Sequence, residues 1–509
     1  MHCGPALAPI KSLAWLLLAF TPVAACGSTQ TDASVGVGAG GDQLDGGGAS
    51  TAGLGGDATA GTGLGGETSA SGMGSVDELV TALEGDGFEV REGKFRLLDL
   101  SQCCDEGKSC AGNNPSSPYS AYYLPRAPQQ IAPNENEDAE GLSNTYRLAP
   151  NEAVVWLGET PPEAAYFGFT DYLMSRDDGS DTRSPIFASL GETLNVGVLG
   201  VAGPNDGVKF GRQAMVIHTP DANIAERIKR AALLAGVAEA AINTSPIDAE
   251  STRLGLEASA DTLGVLFRSA FYADEAAGDH WLSVPPVHLF RVTPTSEPTE
   301  SALYGKATAR PKDAETDENP TYAEAAAELE QAIIDAYAPT HEAVVEPMIE
   351  GTPDPYACIA GERTCAGDNR DTIYPATAPF VWPVRVKDFL IVHGVDHSQT
   401  GKATYANASL YAVQHLAGVV AVSNKSWKGS AARYLPNHPL ADKLYAYKLS
   451  RACKGEDFCL EVPDAPCPSG IAPGSLALVA FRAYLEPTSN TAPDPALLVP
   501  DGVLRFKTR

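Results

Sequence analysis

The chain has 509 residues, with 36 Lys and Arg against 64 Asp and Glu, a net charge of −28 at pH 7. So acidic a chain disfavours nucleic acid as a partner and favours solubility and cationic partners. One of the bases and five of the acids lie in the first 75 residues, so residues 76–509 carry −24 and are long enough for two or three domains.

In chain order, the first signal is Lys11 followed by the apolar run Ser12–Phe20. That run is shorter than the roughly 20 residues that span a bilayer, and Pro22 interrupts it. It ends in Val23-Ala24-Ala25-Cys26 and is read as a secretory signal peptide rather than as structure. The tetrapeptide resembles the lipobox of bacterial lipoproteins. The resemblance covers residues 1–26. It implies that Cys26 becomes the mature N-terminus and carries a lipid, so that the membrane is a partner. Gly27, rather than Asp, follows it, which resembles the lipoproteins sorted to the outer membrane. A modification bearing several acyl chains anchors durably where a single chain does not.

Residues 27–75 contain 17 Gly and no Lys or Arg, and the octamer Gly53–Ala60 recurs as Gly63–Ala70. Nothing here can bury a core, so the stretch is expected to be a flexible tether with a reach of roughly 35–42 Å.

Beyond the tether, Ser75-Val76-Asp77-Glu78 reads as a capping box opening a short helix. Phe88–Arg91 and Phe95–Leu98 flank Glu92-Gly93-Lys94 as a hairpin would. Strands are expected at Glu152–Leu157, at Ala165–Tyr172, where the aromatics read as core, and at Gln213–Ile217. Thr219-Pro220 then caps a helix with Ile224, Ile228, Ala231 and Ala235 on one face. Gly236 stops it, and a strand near Ala240–Ile242 completes a β-α-β unit. Residues 310–319 read as a linker. A helix follows from Asn319-Pro320, with Ala325, Leu329, Ile333 and Tyr337 inward and Pro339 at its end. Dense strands then occupy 384–393, 403–413, 419–422, 443–452, 458–462 and 476–484. The expected fold class is α+β. An α+β portion at 76–345 precedes a mainly antiparallel β portion at 346–509.

Eight Cys lie beyond Cys3 and Cys26, an even number that suits an oxidising compartment. Cys358 with Cys365, and Cys453 with Cys459, bracket short loops and are expected to pair. Cys103, Cys104, Cys110 and Cys467 would then form two more bridges. No C-x-x-C pair exists, which argues against zinc held by Cys.

The common hydrolase, protease, nucleotide and calcium motifs are absent. The segment Phe389–Tyr405 reads as an apolar strand ending in a loop that bears His393, Asp396, His397, Lys402 and Tyr405. His393 and His397 could hold a divalent metal with Asp396, or one His could serve as a general base beside Lys402 or Tyr405. The same loop reads equally as a polar hairpin with locally bonded histidines. Asp368, Arg370 and Asp371 form a second polar cluster, a ligand site if Arg370 grips an anion and an Asx-rich turn with an ion pair otherwise. Cys110–Tyr119 is stiff enough for a pocket wall but reads first as a disulfide-pinned turn. The functional expectation is therefore a surface-tethered lipoprotein acting as a hydrolase-like enzyme through the His/Asp loop. The alternatives are a non-enzymatic lipoprotein that captures a small molecule or polymer, and a structural envelope protein.

Overall fold

The structure, a computed structural model, describes residues 76–509 apart from 100–101, 106, 181, 297–299, 313–315, 350, 352–353 and 363–364. The signal segment, Cys26, the tether and Ser75 lie outside the described residues. The fold is α+β, rich in mostly antiparallel sheet and crossed by disulfides.

The first layer is an eleven-stranded sheet. Its main path runs Ser184–Ser189, Ala164–Arg176, Thr262–Tyr272, Tyr119–Pro125, Phe88–Leu97, Val287–Pro294, Ala153–Glu159, Gln213–Thr219 and Ile242–Pro246. Every pairing along this path is antiparallel except the last, which is parallel across the helix Ala222–Leu234. That helix buries Ile224, Ile228 and Ala231. Its N-cap is Asp221, whose carboxylate accepts from the Asn223 and Ile224 amides, so the expected Thr219-Pro220 cap lies two residues early. Gly236, at φ +83°, turns the chain away in a left-handed conformation.

The expected hairpin around Gly93 does not form. Phe88–Leu97 is one continuous strand that pairs with Val287–Pro294 up to Gly93 and with Tyr119–Pro125 from Lys94 onward. Gly93 is there for close approach rather than for a turn, since a Cβ would sit 2.6 Å from the Tyr123 carbonyl oxygen.

The second half stacks a helix and two sheets. The five-stranded sheet runs His341–Val345, Gly502–Thr508, Phe389–Val395, Leu444–Ser450 and Cys459–Glu461. The helix Thr321–Tyr337 covers one face, with Ala325, Leu329 and Ile333 against Phe389, Ile391, Leu504 and Phe506. This helix and the strand His341–Val345 therefore pack with the later strands, although they precede residue 346. The other face, through Leu390, Val392 and Val503, meets a six-stranded sheet. Its main path is Met348–Ile349, Ala376–Thr377, Leu476–Tyr484, Tyr405–Ala412 and Ala417–Ser423.

Tyr405–Ala412 alternates strictly. Ala406, Ala408, Leu410 and Ala412 enter that apolar core, which leaves Tyr405, Asn407, Ser409 and Tyr411 for the opposite face. All eight residues are buried, because the polar face is covered by the first layer. Four disulfides join Cys103–Cys110, Cys104–Cys467, Cys358–Cys365 and Cys453–Cys459. The second ties the two halves together across 363 residues.

Candidate functional site

The His/Asp loop is distributed among separate structural tasks. His393 does not stand in a loop. Gly394 and Val395 carry the strand past it, and it pairs with Ala446 on one side and Gly502 on the other. Its ring fills the space a Gly502 Cβ would need, and burial lowers its imidazole to about 4. Asp396 caps the short helix His397–Thr400 through the Ser398 amide and hydroxyl.

His397 points elsewhere. Its Nδ1 lies 3.0 Å from Glu318 Oε1, and its Nε2 lies 3.6 Å from Asp501 Oδ2. Burial opposes its charge, but the Asp501 and Glu318 carboxylates on its two sides outweigh that and push it up to about 10. Lys402 donates to the Thr316 carbonyl, and Tyr405 stacks on Tyr484 at 4.5 Å. His393, Asp396 and His397 bring no three ligand atoms within 4.8 Å of one another. Among the described residues the one such group is Cys103, Cys104 and Cys110, all disulfide-bonded. The expected metal site and the expected acid–base cluster therefore do not assemble. The sequence spacing placed two His side by side, whereas the sheet turns one inward and clamps the other between distant acids.

Asp368, Arg370 and Asp371 sit on the covered face of the first sheet. Asp368 accepts from the Ser189 amide and hydroxyl, at 2.8 and 2.6 Å. Asp371 accepts from Tyr166 Oη and Asn195 Nδ2 at 2.8 and 2.9 Å. Burial pushes the Asp371 carboxyl up to about 7, while Arg310, 3.6 Å away, pulls it down. Arg370 lies 3.5 Å from Glu192. The cluster docks the second half onto the first.

A second buried network has the form of a proton relay. His218 Nδ1 faces both Asp171 oxygens at 3.0 Å, so its Nε2 is left to accept from Tyr122 Oη at 3.2 Å, and Ser245 Oγ donates to Asp171 at 2.5 Å. His218 and Tyr122 are fully buried in the first layer's core. The chain is satisfied end to end and presents no reactive atom.

The seam between the layers differs from both. From the first layer come Tyr119, Tyr166, Tyr172 and Arg268. From the second come Tyr374, Asn407, Ser409, Tyr411, Arg482 and Tyr484. Arg268 lies over the Tyr119 and Tyr172 rings at 5.2 and 5.4 Å, and Arg482 over Tyr374 and Tyr411 at 5.5 and 5.6 Å. Arg482 sits directly across the strand pair from Asn407. Asn407 Nδ2 donates to Asn114 Oδ1, but Asn407 Oδ1 and Asn114 Nδ2 are buried without partners among the described residues.

The backbone around the seam is strained as well. Phe187, Phe271, Leu416 and Leu485 all adopt left-handed φ between 44° and 58°. Bulky side chains rarely take that conformation, and it recurs at ligand sites. The Phe187 ring packs at a tilt against Tyr172, the Phe271 ring meets Tyr405 edge-on, and Leu485 packs with Tyr166 and Tyr484. The Leu416 carbonyl holds the Cys110–Tyr119 loop through the Gly112 amide, so the disulfide-pinned turn also walls the seam. Tyr374 and Phe271 are half-buried and mark where the seam nears the surface. Surface hollows of about 190 and 360 Å³ lie at Val381–Lys507 and between the helices Val76–Gly85 and Ala222–Leu234, away from every group above.

No family model and no curated protein matches the chain. Solved structures that resemble it include two of bacterial origin. An uncharacterized protein from Burkholderia cenocepacia is 12% identical over 85% of this chain and 86% of its own, with a TM-score of 0.36. A protein from Vibrio parahaemolyticus is 9% identical over 79% of this chain and 92% of its own, with a TM-score of 0.35. Likenesses of this size carry no functional argument.

Proposed function

We propose that this protein is a lipid-tethered, extracytoplasmic binding protein that captures a small ligand in the seam between its two layers. The supporting observation is a buried interface with orphaned polar atoms and strained backbone at one place, where well-packed apolar layers would have sufficed. Buried polar groups without partners are costly, and a ligand that supplies the partners offsets that cost. The hydrolase reading loses support because Asp396, His397 and Lys402 are engaged by separate partners, while the His393 ring packs on Gly502 and Tyr405 stacks on Tyr484. The address rests on the lipobox-like Val23–Cys26, with the Gly-rich segment as tether and the outer membrane as the expected location.

Residues 76–509 contain all four disulfides, so they can be tested alone. Thermal melts of the oxidised protein against a panel of sugars, amino acids, organic acids and nucleotides are expected to show an upward shift with at least one compound. That shift should disappear in Asn407→Leu. A flat panel, together with a native mass spectrum free of any co-purified molecule, would remove the capture reading. The address is checked separately: the full chain should take up labelled palmitate and sediment with membranes, and Cys26→Ala should do neither.

A further inference from the structure

We infer that the seam recognises an oxyanion group on its ligand, a carboxylate, phosphate or sulfate, through Arg482 and Arg268. The inference rests on the capture reading and adds the ligand's chemical class. A guanidinium stays charged at any working pH, and a buried charge needs a counter-charge. Arg482 is 5% exposed and Arg268 3% exposed, yet neither forms an ion pair among the described residues.

Arg482 donates to the Gly112 carbonyl at 2.8 Å and, at a long 3.5 Å, to Ser409 Oγ. Arg268 has the Gly367 carbonyl at 3.2 Å and Thr170 Oγ1 at 3.5 Å. The ring faces supply part of what is missing but no net charge. The phenols supply none either, since burial pushes Tyr484 up to about 12 and holds Tyr374 and Tyr411 above the usual phenol range. The Asp368 carboxylate senses Arg370 first and Arg268 after it, but it forms no ion pair with Arg268 among the described residues. After burial, the groups acting most strongly on Arg482 are the phenols of Tyr411, Tyr484, Tyr119 and Tyr374.

The two cations also share neighbours. Tyr119, Tyr374 and Tyr484 act on both. The orphaned Asn114 Nδ2 is a donor, as an oxyanion requires, and the orphaned Asn407 Oδ1 asks for a donor elsewhere on the same ligand. The buried Arg291 in the same protein shows the usual solution: it is gripped by both oxygens of Glu152. At the seam no described carboxylate grips either guanidinium, and that role falls to the ligand. The seam is closed, so entry requires the layers to part near Tyr374.

The test uses oxidised 76–509 and its Arg482→Met variant, melted in chloride and then in inorganic phosphate, sulfate or acetate at matched ionic strength. In chloride the variant is expected to melt at or above the wild type, because an uncompensated charge has been replaced by an apolar chain. At least one oxyanion should raise the wild-type midpoint, and calorimetry should show its affinity at least tenfold weaker in the variant. Three results would overturn the inference. One is a variant that melts far below wild type or fails to fold, which makes the guanidinium a structural strut. Another is equal oxyanion shifts in both proteins. The last is no oxyanion shift at all; if neutral sugars or amides still shift the wild type, the capture reading survives and only the oxyanion class falls.

Discussion

The two histidines four residues apart show how differently one short segment can treat the same side chain. His393 is held neutral by burial, whereas His397 is held charged by Glu318 and Asp501. The folded-state value for His397, about 10, lies above the ordinary 6.5, so its contribution to stability is complete below pH 6.5 and is lost as pH rises toward 10. Glu318 is shifted the opposite way, held below the usual range although burial alone would raise it, because His397 and Thr400 bond to it. Its contribution is lost as pH falls through that lowered range. The clamp is therefore strongest in mildly acidic solution. Chemical denaturation at pH 6 and pH 9 should show wild type losing stability at the higher pH, with that loss reduced in His397→Gln. At pH 6, His397→Leu should cost about 3–5 kcal/mol by leaving two carboxylates buried without their cation. An unchanged pH slope in His397→Gln would refute the assignment of the slope to this residue.

At the scale of elements, the disulfides separate by what they join. Cys358–Cys365 closes a local turn, seven residues apart, whereas Cys104–Cys467 spans 363. If loop entropy dominates, losing the long bridge costs about 6 kcal/mol and losing the short one about 2. Urea unfolding of Cys104→Ser/Cys467→Ser beside Cys358→Ser/Cys365→Ser measures the difference, and equal midpoints would exclude the entropic account. Cys358–Cys365 and Cys453–Cys459 were readable from spacing, because short loops leave few partners, whereas the pairing of Cys103, Cys104, Cys110 and Cys467 was not. The helix at Thr321 was readable because Ala325, Leu329 and Ile333 recur on one face. Gly93 misled for a physical reason. Glycine serves both where a chain must turn and where another backbone comes too close for a Cβ, and sequence alone does not separate the two uses. The mid-strand Arg268 and Arg482 did leave a signal, as lone charges inside apolar runs, and so did the alternation of Tyr405, Asn407, Ser409 and Tyr411 with small apolar residues. Both patterns announce a polar face in a position that ought to be dry.

For the whole molecule, the seam decides whether two layers behave as one. The contacts across it join residues far apart in the chain: Tyr166 with Asp371, 205 residues away, and Asn407 with Asn114, 293 away. Such a buried, bonded interface should couple the halves, so calorimetry of the oxidised protein is expected to show one cooperative transition. Two resolved transitions would mean that the seam opens before either layer melts.

The sequence by itself determined what depends on near neighbours: the antiparallel strands with their period of two, the helix faces and the short disulfide loops. Its two candidate sites, the His/Asp loop and the Asp368–Asp371 cluster, are drawn into separate contacts because a titratable side chain takes its role from whatever faces it. The partners of His397 and Asp371 arrive from 79 and 205 residues away. Only the tertiary structure could pair those charges, and only it could leave Arg268 and Arg482 without an ion pair among the described residues.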